Sequence, residues 1–157
     1  MDLRIGTSGW TYASWRGRLY PQDLPQRRWL AHYAERFDCV EINGSFYRLP
    51  EEHTFRKWAE TVSAGFRFAV KGSRYVTHFK RLRDVEESVA RVVDRARALG
   101  DRLGPILWQL RPDTAVDLPR LDPPLATAAQ PARVLRIEPV LTESERVDHP
   151  PPETPRH

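Results

Sequence analysis

A chain of 157 residues, 40% of them hydrophobic, with a formal charge of +4, fits one folded domain with a real core. Its single cysteine, Cys39, excludes an intrachain disulfide, and no apolar run approaches the roughly 20 residues that a membrane helix needs. The charge is uneven, with 19 Lys/Arg against 13 Asp/Glu through Gly104 and 6 against 8 from Pro105 onward. The basic first two-thirds is compatible with an anionic ligand or nucleic acid, and equally with a solvated charged surface.

Met1-Asp2-Leu3-Arg4 runs directly into a strand pattern over 3–8. That leaves no leader-like segment, and with a lone thiol a reducing cytoplasm is the expected compartment. Residues 25–37 read as a helix, with Trp29, Leu30, Tyr33, Ala34 and Phe37 on one stripe. A second strand covers 39–43. Cys39 opens it, as a packed rather than a reactive thiol. A second helix over 54–62 shows Phe55, Trp58, Ala59 and Val62 on its apolar face, and 66–71 form a third strand. The third helix is predicted to start at a capping box, Asp84 with Glu87, and to stop at Gly100. A fourth strand falls at 106–110 and a fifth at 134–138. Alternating strands and helices argue for a parallel sheet covered by helices.

The chain changes character near residue 110. No aromatic residue follows Trp108, all eight glycines lie at or before Gly104, and 11 of the 14 prolines lie at or after Pro105. Such a segment buries little apolar area, so 141–157 are expected to be disordered.

In order along the chain stand Ile5-Gly6-Thr7-Ser8-Gly9-Trp10 with Tyr12 and Trp15, Tyr20-Pro21, Val40-Glu41-Ile42-Asn43 and Ser45-Phe46-Tyr47-Arg48-Leu49-Pro50. Phe68-Ala69-Val70-Lys71, Thr77-His78 and Leu107-Trp108-Gln109-Leu110 follow. In these motifs the sequence resembles the YecE-like family, known as domain of unknown function 72, over roughly residues 3–112. The resemblance implies a TIM-type (β/α) barrel and no established reaction. Two places depart from the family pattern: Arg111 precedes a single Pro112 where the family has two prolines, and Arg136-Ile137-Glu138-Pro139 replaces an acid, an aromatic, an Arg and a His. A complete barrel takes about 250 residues. The expectation is therefore an α/β fold of parallel (β/α) TIM-barrel type, about half a barrel over 1–140. A divergent, frameshifted tail would explain the length; a native half-barrel that pairs with itself or another chain is the alternative.

Strand parity picks out candidate site residues. Alternation sets Glu41 and Asn43 opposite Val40 and Ile42, Lys71 opposite Phe66, Phe68 and Val70, and Gln109 opposite Ile106, Trp108 and Leu110. Ser8 opposes Thr7 in the same way. Each falls at the C-terminal end of its strand, where barrel enzymes place their chemistry. Glu41 is a candidate general acid or base, and Lys71 a candidate for stabilising an anion or forming a Schiff base. The two also read as a plain interior ion pair. Asn43 and Gln109 suit a ligand hydroxyl or carbonyl. Glycosidase chemistry needs a second carboxylate, for which Glu138 is a poor candidate. Gly6 to Gly9 is either a phosphate-binding turn or simply a tight one. Trp10, Tyr12 and Trp15 either stack on a sugar or base or plug a loop, and Tyr47 adds stacking surface beside them. His78 alone of the histidines lies near the mouth; His32 and His53 fall in helices, and His149 and His157 in the tail. No metal or cofactor is expected.

The run from Lys71 to Arg83 interleaves Tyr75 and Phe79 with Arg74, Lys80, Arg81 and Arg83. That pattern suits a phosphate backbone with stacked bases, or a solvated loop. The partners expected are thus a small polar or anionic ligand or, alternatively, nucleic acid. Self-association through open sheet edges is expected as well, and a membrane is not.

Overall fold

A computed structural model describes residues 3–114 together with the backbone of Arg133–Val134. Four parallel strands form its centre: β1 (Gly6–Ser8), β2 (Cys39–Ile42), β3 (Arg67–Lys71) and β4 (Leu103–Leu107). The short β5 (Arg133–Val134) pairs with β4, so the sheet order is β1-β2-β3-β4-β5, parallel throughout. Helices α1 (Trp29–Ala34), α2 (Glu52–Thr61) and α3 (Glu86–Ala96) lie in the connections between strands. This is the α/β arrangement that the alternating pattern predicts. The expected fifth strand beyond Val134, with Glu138, and the tail over 141–157 lie outside the described residues.

Burial alternates residue by residue along β2, β3 and β4. Val40, Ile42, Phe66, Phe68, Val70 and Ile106 point to the helices and are almost wholly buried. They meet Phe55 and Ala59 of α2 and Val89, Val92, Val93 and Ala96 of α3 in one core. Glu41, Ala69, Lys71 and Leu107 alternate with them and are only half-buried, so the second face of the sheet carries the polar side chains.

Three boundaries differ from the sequence reading. The fourth strand begins at Leu103 and ends at Leu107, running through Pro105. Proline has no N–H for the ladder, and the pairing is irregular there: Phe68 faces Leu103 but Val70 faces Ile106. A bulge thus carries the strand past a residue that reads as a breaker. The capping box is absent. The residue before α3 is Val85, without a side-chain cap, and Asp84 is itself left-handed at φ 48°. The first helix is shorter than its apolar stripe, with a 3-10 turn at Gln26–Arg28 preceding α1. Gly100 does end the third helical run, at φ 57° inside a 3-10 segment over Arg97–Arg102.

Candidate functional site

Lateral register sets the site. Ser8 lies opposite Glu41, and Lys71 is the last residue of β3, opposite Leu107. The Ser8 hydroxyl donates to Glu41 Oε1 at 2.9 Å, and Lys71 Nζ lies 3.9 Å from the same oxygen. The side chains of Lys71 and Glu41 are only 15% and 20% exposed. The Ser8 hydroxyl and the Lys71 ammonium thus share one carboxylate oxygen of Glu41, the hydroxyl closely and the ammonium at a looser distance.

The turn after β2 completes the floor. Gly44–Phe46 form a 3-10 turn, and the buried Ser45 hydroxyl lies 2.6 Å from each of the Ile42 and Lys71 carbonyls. This hydroxyl ties the ends of β2 and β3 together and seats Phe46 beneath Lys71, whose ammonium lies 5.2 Å from the ring centroid. The edge of Phe46 also meets His78 at 5.1 Å. Thr77 Oγ1 sits 2.9 Å from His78 Nδ1 and fixes that ring. Burial, and then the charges of Arg111 and Arg74, hold His78 below the ordinary histidine value, with Asp113 opposing and Lys71 adding to the effect.

The basic loop is built around aromatic rings. Tyr75–Phe79 form a π-helical turn, and Lys80 N–H donates to the Tyr75 carbonyl at 2.9 Å. Arg74 places its guanidinium 5.2 Å from Tyr47 and 5.4 Å from Phe79, and Lys80 lies 5.7 Å from Tyr75. Tyr47 and Phe79 remain about two-thirds exposed, at 64% and 65%. Past the turn, Arg81 and Leu82 are left-handed, at φ 51° and 62°. The loop leaves the sheet at Gly72, where a Cβ would meet Trp108 Cε3 at 2.2 Å, so no larger residue fits under that indole.

Not every predicted residue gathers here. Ser8, Glu41, Lys71, Tyr47 and His78 are linked, directly or through Phe46. Asn43 and Gln109 are half-buried and follow β2 and β4 rather than ending them, and among the described residues neither amide bonds to the Glu41–Lys71 pair. Trp10 is elsewhere: it is 8% exposed and packs edge-on against Trp58 at 5.2 Å. Its place in the core removes it from the ligand-binding set. Tyr12 and Trp15 pack on each other at 4.7 Å, as loop plugs would. Gly9 N–H is taken by the Glu41 carbonyl at 2.9 Å, so the glycine turn does not offer that donor to a phosphate. Arg81 and Arg83 are exposed. Phe46, Ser45 and Arg111 escaped the sequence reading as site residues. Phe46 is visible only as part of a motif, and Arg111, paired with Asp113 at 2.7 and 2.9 Å, only as a departure from one. Among the described residues no group of three or more His, Cys, Asp or Glu is arranged to hold a metal ion. No helix there is long and apolar enough to cross a membrane.

A parallel sheet with helices in its connections, and with polar side chains grouped at the C-terminal ends of its strands, defines an α/β protein. The family model described as "Protein of unknown function DUF72" matches residues 4–139, and the chain belongs to that family. It is 31% identical over 108 residues to UPF0759 protein YecE of Escherichia coli, covering 69% of this chain and 37% of that one. To UPF0759 protein YunF of Bacillus subtilis it is 28% identical over 79 residues, covering 50% of this chain and 27% of the relative. The chain therefore spans well under half the length of these relatives. Among solved structures, a DUF72 family protein of Thermotoga maritima superposes with a TM-score of 0.71 at 24% identity, covering 85% of this chain and 55% of that one. A DUF72 family protein of Enterococcus faecalis gives 0.61 at 17% identity, covering 82% and 49%. These likenesses establish the shared fold.

Proposed function

We propose that the C-terminal ends of β1 to β4 form part of the mouth of a TIM-type (β/α) barrel pocket for a small polar or anionic ligand. The observation that carries this reading is the Glu41–Lys71 pair, held with Ser8 on the sheet face away from the helices. Burying such groups is costly unless they are paired or used. Within such a pocket Glu41 serves as acid or base and Lys71 steadies negative charge. Cys39, a free thiol, fits a reducing cytoplasm. The test is a thermal-shift screen of small polar and anionic compounds against the wild type, Glu41→Gln and Lys71→Met. A ligand that stabilises the wild type and loses its effect in both variants is the expected result. Ligands that act equally on all three would count against the pocket.

A second reading, single-stranded nucleic acid on the basic loop, is favoured by one observation: the Arg74 guanidinium between the exposed rings of Tyr47 and Phe79. Stacking rings among cations suit a flexible strand. Replacing Arg74, Lys80, Arg81 and Arg83 together by alanine should abolish a binding that weakens steeply with salt. Oligonucleotide binding that is absent at low salt, or untouched by that variant, removes this reading.

A further inference from the structure

We propose that Lys71, Arg74 and His78, gathered over the Phe46 and Tyr47 rings beside the Glu41–Lys71 pair, form with the nearby charge of Arg111 a site for a dianion of the phosphate-monoester class. This deepens the pocket reading and rests on it. Lys71 and His78 lie against the Phe46 ring at 5.2 and 5.1 Å, and Arg74 lies over Tyr47, which meets Phe46 edge-on at 5.1 Å. The two rings thus bring an ammonium, an imidazole and a guanidinium to one place. Arg111, from the segment after β4, adds a charge that bears on His78.

The balance of charge there is lopsided. Glu41 partly offsets Lys71 at 3.9 Å, and Asp113 takes Arg111 in a two-pronged pair. Arg74 meets no carboxylate within ion-pair distance among the described residues and rests on aromatic faces instead. Among the described residues the cationic donors there are Lys71, Arg74 and Arg111, and the carboxylates that oppose them are Glu41 and Asp113. Guanidinium forks match the paired oxygens of a phosphate, and a twofold negative charge answers the surplus.

The loop carries an independent sign of use. Non-glycine residues at positive φ are strained, and Arg81, Leu82 and Asp84 are all left-handed just after the π turn. π turns and strained backbone concentrate where side chains must be held in place for a ligand. Here the π turn contains His78 and follows directly on Arg74.

His78 supplies the readout. Burial first, then the charges of Arg111 and Arg74 with a smaller part from Lys71, hold its pKa down in the free protein against Asp113, while Thr77 and Phe46 fix its ring. A dianion reverses that field and favours the imidazolium. Between the free and the bound pKa, binding then takes up a proton.

The experiment follows the His78 ring resonances by NMR in the full chain, across pH, with inorganic phosphate and with sulfate, which stays a dianion throughout. His78→Gln supplies the assignment. The expected result is an upward shift of the His78 titration in both anions, with affinity weakened roughly tenfold or more in Arg74→Gln and in Arg111→Gln. Unchanged His32 and His53 resonances show that those variants fold. Three outcomes would overturn the site: an unmoved His78, an equal response to dimethyl phosphate, or full binding in the double variant. A ligand lost in Glu41→Gln yet indifferent to Arg74→Gln and Arg111→Gln would leave the pocket standing and remove the dianion site.

Discussion

At the scale of single residues, the site depends on small side chains that fix large ones. Ser45 carries no charge, yet its hydroxyl lies within reach of two carbonyls and so decides where Phe46 and Lys71 sit. His78 has the clearest consequence for stability. Its pKa is lower in the folded protein than the ordinary value of 6.5, so below that value the unfolded chain binds a proton that the folded chain resists. Stability contributed by neutral His78 is therefore complete above pH 6.5 and is lost as pH falls through the folded pKa. Denaturant melts from pH 8 down to about 5 should show a fall in midpoint that is smaller in His78→Gln. Identical profiles for the two proteins would remove the effect. Glu41 and Lys71 could be read from the sequence because alternation alone fixes their face. Ser45 and Phe46 could not, because a 3-10 turn has no period to betray it, and Trp10 misled because an aromatic in a loop motif looks the same whether it stacks outward or plugs the core.

At the scale of elements, the strands and helices were legible in kind and order, and their ends were not. Parity needs only a few residues of alternation. Boundaries depend on local exceptions: the bulge that carries β4 through Pro105, and the left-handed backbone that takes Asp84 out of its capping role. Of the four central strands the shortest is β1, three residues long. Tyr33 of α1, fully buried, reinforces it. Its hydroxyl accepts from Thr7 N–H at 2.9 Å and donates to the Cys39 carbonyl at 3.1 Å, so a helix side chain pins β1 to β2. Burial in turn raises the phenol's pKa, more than its bonds to Thr7 lower it. Tyr33→Phe should cost about 1–3 kcal/mol of stability by leaving these groups unpaired. It should also speed amide exchange at Thr7 and Gly9 more than in β3. Uniform protection across β1 and β3 in the variant would show that the hydroxyl does not hold the strand.

For the whole molecule, the described sheet ends at β1 on one side, where Leu3 and Ile5 are 80% and 67% exposed. Exposed edges with apolar side chains invite pairing with another chain. We propose that the purified chain self-associates through this edge, so its sedimentation coefficient should rise with concentration and Ile5→Lys should suppress the rise. A single species over a hundredfold concentration range would contradict that. The barrel implied by the resemblance concerns more sheet than the described strands, so strand parity over those strands does not reach it. One contact described earlier has a consequence for light rather than for binding. Trp108 is almost wholly buried, its Nε1 has no hydrogen-bond partner among the described residues, and its ring rests on Gly72 at the root of the basic loop. An indole in so dry a setting emits at short wavelength, and any tilt of the loop at Gly72 must either push the ring or let water reach it. Read in a variant that keeps Trp108 alone of the five tryptophans, the colour of that emission would report whether the root of the loop at Gly72 stays packed.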